Sequence, residues 1–276
     1  MPELPETETI ARDLDGRVSG ATIVDARVRK SDVLRGVTAA QFVKRLRGVD
    51  IVRSWRRAKL IIIDLSSNDR IVVQPRFTGA LLIDEGGSLA ADELRYSTLQ
   101  LNLGDGRALH YRDIRRLGTV ALMTAERYEA YAARLGIEPL DPAFSGAHLS
   151  GLLRGSRQAV KKVLMDQRLV AGIGNIYANE ALWRARIDPS RASRTLSLDD
   201  AGRVRDALVS VLRESIAARG TSFRDYRDAS GARGTFVESL AVYGRAGEPC
   251  PRCGKRLVGT HAIDGRMTVL CAQCQR

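Results

Sequence analysis

Cysteine is missing from the first 249 residues of this 276-residue chain. No disulfide framework can therefore run through its body, and a core must come from packing. No apolar run approaches the roughly 18 residues that cross a bilayer, which argues against a membrane protein. The N-terminus is acidic and polar, the opposite of an export signal, so an intracellular, cytoplasmic location is expected. Internal repeats, coiled-coil heptads and low-complexity tracts are absent too. Negative charge is the scarcest commodity: 32 Asp and Glu face 44 Lys and Arg, giving +12 and a pI near 10.1. Such an excess calls for a polyanionic partner, either nucleic acid or an anionic membrane surface.

The chain predicts an α+β protein of several domains. Residues 5–15 read as a helix: Pro5 suits a first turn, Glu6 and Glu8 its positive end, and Gly16 a stop. β signals follow over 22–29, 49–55, 59–65, 70–74, 80–83, 95–103, 108–111 and 119–123, interrupted by a short helix over 39–46. About eight strands with tight turns predict an antiparallel sandwich or barrel. After a helix over 125–134, Gly136, Pro139, Pro142 and Gly146 read as a linker. Helices then dominate, over 156–166, 175–186 and 198–219, before a polar, glycine-bearing loop over 224–236. The resulting division is 1–135, a linker over 136–146, 147–238 and 239–276.

The cysteines that do exist, Cys250, Cys253, Cys271 and Cys274, form two Cys-x2-Cys knuckles 17 residues apart. In a reducing compartment that pattern reads as a tetrahedral Zn²⁺ site. Four protein ligands leave no open position, so the metal is expected to be structural. Arg266, just before the second knuckle, is either a solvated surface charge or a contact to a phosphate or the minor groove. In Gly172-Ile173-Gly174-Asn175 the glycines can bring backbone N–H groups to an anion at a helix start. With Asn175 and Lys161 as side-chain donors, this reads as a phosphate clamp; the plain alternative is an ordinary glycine-rich turn. The start, Pro2-Glu3-Leu4-Pro5-Glu6, has two readings as well. If Met1 is removed, Pro2 carries a secondary amine, substantially unprotonated near neutrality, that can form a Schiff base with nearby carboxylates assisting. Alternatively, it is only helix punctuation.

Together these stretches resemble the bacterial formamidopyrimidine-DNA glycosylase/endonuclease VIII family. The carriers are Pro2-Glu3-Leu4-Pro5-Glu6, Arg56-Arg57-Ala58-Lys59, Lys161 through Asp166-Gln167 into Gly172-Ile173-Gly174-Asn175-Ile176-Tyr177, Val242-Tyr243-Gly244-Arg245, and the finger with Arg266. Glu3-Leu4 is closer to the formamidopyrimidine branch. The resemblance implies a helix and β-sandwich followed by a helix–two-turn–helix domain and zinc finger, with double-stranded DNA between them. It also implies a monomer that works at the nucleoid. Its reaction would flip out an oxidised base, 8-oxoguanine or a formamidopyrimidine, displace it through a Schiff base at Pro2, and cut the strand by β,δ-elimination. Glu3 would be the acid that opens the sugar, Glu6 a second acid, and Lys59 a phosphate contact and proton donor. Lys161, Asn175 and Arg266 would grip phosphates.

The family usually fills the gap left by the base with methionine, arginine and phenylalanine. Here Phe77 takes the methionine's place, Arg115 remains, and Leu117 replaces the aromatic, so the two apolar wedges are exchanged. Ala58 stands where glycine is usual before Lys59, and the 224–234 loop, which can cap the lesion in the family, is poorly matched. Two alternatives therefore stay open: the same chemistry on oxidised pyrimidines or another lesion, and a lesion-binding protein without catalysis.

Overall fold

The computed structural model describes residues 2–223 and 226–276. Met1, Arg224 and Asp225, and with them the first two residues of the loop read at 224–234, lie outside the described residues. The chain forms two compact units, Met1–Ala133 with Ala218–Val237, and Arg134–Ala217 with Glu238–Arg276.

The first unit opens with α1 (Leu4–Val18), whose Leu4, Ile10, Leu14 and Val18 are fully buried. Gly16 does not stop this helix. Leu14 and Val18 share one buried face across it, and the Arg107 guanidinium donates to the Arg17 carbonyl at its end. The strands are β1 (Thr22–Val28), β2 (Leu34–Arg35), β3 (Val49–Arg57), β4 (Leu60–Leu65), β5 (Asp69–Gln74), β6 (Gly79–Asp84), β7 (Ser97–Leu103), β8 (Ala108–Asp113) and β9 (Thr119–Thr124). The helices α2 (Ala39–Leu46), α3 (Ala91–Arg95) and α4 (Ala125–Ala132) lie between and after them.

The strands form one ribbon in the order β2-β9-β5-β4-β3-β1-β7-β8-β6, antiparallel except for β2–β9. β1 and β3 share only two paired positions, and there the ribbon folds over. Ile63, Ile71, Val73 and Val120 from one half line the same interior space as Leu81, Leu99, Leu101 and Leu109 from the other. The expected sandwich is therefore present, with β2 as a ninth strand too short to announce itself. Tyr226 and Ala229 belong to this core, and the Ile83 N–H donates to Ala229 at 3.1 Å. Residues 218–237 thus pack with the sandwich, not with the helices to which the sequence division gave them.

The second unit holds α5 (Gly146–Arg154), α6 (Val160–Met165), α7 (Asn175–Ala185), α8 (Leu198–Ala217) and the hairpin β10 (Val258–Thr260) with β11 (Thr268–Leu270). The helix read over 156–166 begins only at Val160, because Ala159 pairs with Ala192 in extended form. The stretch read as a linker is packed: Gly136 donates to the Gln167 carbonyl at 2.8 Å, and Ala171 to Ile137 at 2.9 Å. A Cβ on Gly136 would meet the Leu169 backbone at 2.3 Å, so glycine is required by proximity.

Candidate active site and nucleic-acid interface

In the first unit the N-terminus is built around Glu6. Glu3 caps α1 in extended conformation, and Pro2, Glu3 and Glu6 are all buried. The Glu3 N–H donates to Glu6 Oε2 and the Thr221 N–H to Glu6 Oε1, each at 2.8 Å. Both carboxylate oxygens are thereby oriented by backbone donors, one local and one 215 residues away. Gly220 makes the second possible: its φ is +86°, and a Cβ would reach Glu6 Cγ at 3.0 Å. The Tyr226 hydroxyl donates to the Arg219 carbonyl at 3.0 Å. Burial first, and then the Glu6 charge, push its phenol far above the ordinary range, so it stays protonated. Pro2 is buried beside Glu3 at the start of the chain's first helix.

Lys59 occupies a two-residue turn, since Arg57 pairs with Leu60 across β3 and β4. Ala58 takes the left-handed position with φ +53°. That conformation costs an alanine about 1–2 kcal/mol relative to glycine, offset in part by its buried methyl group. Arg56 fixes the turn to α1: Nε donates to Glu8 at 2.7 Å and Nη1 to the Ala58 carbonyl at 3.0 Å. Burial alone would raise the Glu8 pKa, but the Arg56 guanidinium, helped by Arg12, outweighs it and holds the carboxyl below its ordinary value. Glu8, read from sequence as helix punctuation, is thus the anchor of the Lys59 turn.

The three wedge candidates come together on the loops after β5 and β8. Phe77 and Leu117 are 47% and 42% exposed, large apolar side chains held in water. The Arg115 guanidinium lies 5.1 Å from the Phe77 ring centroid, a cation–π contact. The Thr78 hydroxyl donates to Asp113 and accepts the Arg115 N–H at 3.0 Å, while Asp113 also takes the Gly118 N–H at 2.8 Å. A Cβ on Gly118 would strike the Tyr111 hydroxyl, and one on Gly79 would come within 2.4 Å of the Pro75 carbonyl. The loops are braced below while their tips project.

In the second unit the clamp residues separate into two roles. Lys161 is fully buried, and its Nζ donates to Thr268 Oγ1 at 2.7 Å and meets Asp264 at 3.4 Å. Reading it as a direct phosphate donor is corrected on that ground: it ties α6 to the finger hairpin. Asn175 begins α7, half-buried, and its Nδ2 donates to the Met267 carbonyl at 3.0 Å. The exposed Arg266 is the neighbouring residue, at the hairpin tip, so these two do come together. Gly172 has φ +85°, but its N–H is spent on Gln167 Oε1 at 2.8 Å. Any anion at this turn therefore relies on the α7 start and on side chains.

The four cysteine sulfurs lie within 4.8 Å of one another, with Cys253 and Cys271 at 3.5 Å. A tetrahedral ZnS₄ centre with bonds of about 2.3 Å has S···S edges of about 3.8 Å, so the donor set and spacing fit such an ion. Beneath the finger, Glu180 is completely buried and accepts the N–H groups of Ala241, Val242 and Tyr243 at 2.8–2.9 Å. Sequence reading missed Glu180, Thr221, Thr78 and Asp113. Each has a partner at least 35 residues away along the chain, and no local spacing marks that partner.

A catalytic-looking N-terminus on a folded-over sheet, followed by a helix–two-turn–helix unit with a four-cysteine hairpin, defines the architecture of a DNA-repair glycosylase. Family models agree: "Formamidopyrimidine-DNA glycosylase N-terminal domain" matches residues 1–120, and "Formamidopyrimidine-DNA glycosylase H2TH domain" residues 135–227. A curated formamidopyrimidine-DNA glycosylase of Heliobacterium modesticaldum is 39% identical over 278 residues, covering 100% of both chains. That of Moorella thermoacetica is 43% identical over 259 residues, covering 93% of each. Among solved structures, the MutM (Fpg) protein of Thermus thermophilus matches with TM-score 0.87 and 35% identity, covering 99% of this chain and 98% of that one. A Lactococcus lactis Fpg bound to N7-benzyl-Fapy-dG DNA matches with TM-score 0.91 and 30% identity over 100% of both chains. The chain belongs to the formamidopyrimidine-DNA glycosylase family.

Proposed function

We propose that this protein is a bifunctional DNA glycosylase and abasic-site lyase that removes an oxidised purine from duplex DNA. The observation that carries the reading is the enclosed Pro2-Glu3 pair at the start of α1, with Glu6 held by two backbone donors beside it. With Met1 removed, the Pro2 nitrogen attacks C1′ of a flipped nucleotide. The base leaves with the C1′–N electron pair and takes up the proton that the Pro2 nitrogen gives up, and Glu3 protonates the sugar ring oxygen as the C1′–O bond breaks and the ring opens to a Schiff base. Loss of a C2′ proton expels the 3′ phosphate, and the second elimination expels the 5′ phosphate. Lys59, on its braced turn, contacts a phosphate at this site. Phe77, Arg115 and Leu117 fill the gap in the stack, while Asn175 and Arg266 hold backbone phosphates.

Zn²⁺ would be held by Cys250, Cys253, Cys271 and Cys274 and supplies a fixed fold for the finger, with no part in the chemistry. The protein works as a monomer in the cytoplasm, on the nucleoid. Among the described residues no helix is long and apolar enough to cross a membrane.

Borohydride trapping on 8-oxoguanine and abasic duplexes tests the mechanism. A covalent adduct is expected with protein beginning at Pro2. The Pro2→Gly and Glu3→Gln variants should lose on the order of a hundredfold or more in rate; equal trapping by either would overturn the assignment. One solved Lactococcus lactis relative is complexed with oxidised-pyrimidine DNA. Thymine glycol and dihydrouracil duplexes therefore belong in the panel, and cutting confined to them would replace the purine assignment.

A further inference from the structure

The second unit carries a cavity of about 580 Å³ at the far end of α7 from Asn175. Arg186, Arg191, Arg203, Arg252 and Arg276 line it. The 11 residues of α7 put it roughly 16 Å along the helix axis from the Asn175–Arg266 grip. The DNA mechanism uses none of these five side chains. Asp200 is shared by Arg191 at 2.9 Å and Arg203 at 2.5 Å. Arg252 spends N–H groups on the Trp183 and Arg184 carbonyls and stacks 4.2 Å from the Trp183 ring centroid, which holds its guanidinium in place. A zinc tetrathiolate beside the cavity carries −2. Set against five guanidinium charges, it and Asp200 still leave the wall positive.

Like charges gathered in a concavity repel, and the repulsion is relieved by an anion that several of them share. Guanidinium groups offer planar paired donors that match phosphoryl oxygens. Duplex phosphates run in a line along a convex rod, whereas these arginines converge on one space of small-ligand size. We propose that this cavity is a second anion site, distinct from the DNA grip, that binds a free oligophosphate such as the triphosphate group of a nucleotide. It stands whether or not the chain cleaves DNA. Since Arg252 lies between Cys250 and Cys253, an occupant would also brace the finger.

Calorimetric titration of inorganic triphosphate into the full-length, zinc-loaded protein tests this, with Trp183 fluorescence as a second signal. Saturable binding is expected, weakened about tenfold or more in Arg186→Gln/Arg276→Gln, as loss of charge-assisted pairs requires. Zinc content should stay unchanged. Arg154→Gln/Arg213→Gln, which removes the same charge from exposed positions elsewhere on the unit, should bind as the parent does. No saturable binding, or equal loss in both double variants, would overturn the proposal. So would displacement of triphosphate by one equivalent of lesion duplex, or preference for a hexaglutamate peptide.

Discussion

Glu6 shows how much one side chain can be asked to do. Its two oxygens accept the Glu3 and Thr221 amides from inside a buried setting, so shape and charge are both committed. Glu6→Gln keeps the shape, but its amide nitrogen must face one of those N–H groups. A loss of about 1–3 kcal/mol is expected, the cost of a buried polar group left without its partner, and urea unfolding measures it. Phe77 and Leu117 are the reverse case. Already exposed, each should tolerate alanine within about 0.5 kcal/mol, while cleavage of an 8-oxoguanine duplex falls. An equal fall in stability and cleavage would make them packing residues. The cysteines could be picked out by reading along the chain, because type and spacing carry their chemistry, whereas Glu3 and Glu6 stood out only through the family resemblance. Lys161 could not be placed that way. A lysine near a glycine turn reads as a phosphate donor until Thr268, 107 residues on, is seen to hold it.

Elements were legible where the pattern was local and misleading where packing overrode it. The strand read over 95–103 is realised as β7 (Ser97–Leu103), with Arg95 ending α3 instead. Gly16 misled because a glycine usually ends a helix, yet the buried face continues through it to Val18. Nothing lies within 4 Å of where its Cβ would be. Gly16→Ala should therefore stabilise the protein by about 0.5–1 kcal/mol, read as a rise in Tm. The α1–β3 turn contact makes a pH prediction. Glu8 has a folded pKa below its ordinary 4.5, so its pairing with Arg56 contributes fully above the unfolded value. That contribution is lost as pH falls from about 4.5 through the lower folded value. Stability curves of the parent and Glu8→Gln should separate above pH 5 and converge as pH falls past the lowered folded value; parallel curves would deny the ion pair that role.

At the scale of the molecule, the boundaries between units resisted reading from sequence. Glycines and prolines at 136–146 suggested a linker, but Gly136 packs closely against the 167–171 turn and Gly146 against Gly202. A polar loop near 224–236 suggested an appendage of the helices, whereas Tyr226 and Ala229 enter the sandwich core. The finger was the most legible part, because four cysteines at fixed spacing need no knowledge of the rest. Its core of Val242, Leu257 and Val269 is small and packs against Trp183. Stripping the metal with a strong chelator should therefore unfold residues 239–276, shift Trp183 emission to the red and open the segment to proteolysis. An unchanged spectrum and digest after metal removal would mean that the finger does not need the ion.

The passage of residues 218–237 back into the first unit sets an order of events on the ribosome. The sandwich emerges early, yet Thr221 and Tyr226 follow only after the 84 residues of 134–217 have been made. At about 5–20 residues per second, that is a wait of about 4 to 17 seconds. During it Glu6 lacks its Thr221 donor and the core lacks Tyr226 and Ala229. The setting of Glu6 is therefore completed only after residues 134–217 have been translated, so the first helix acquires its last partners late although it is synthesised first.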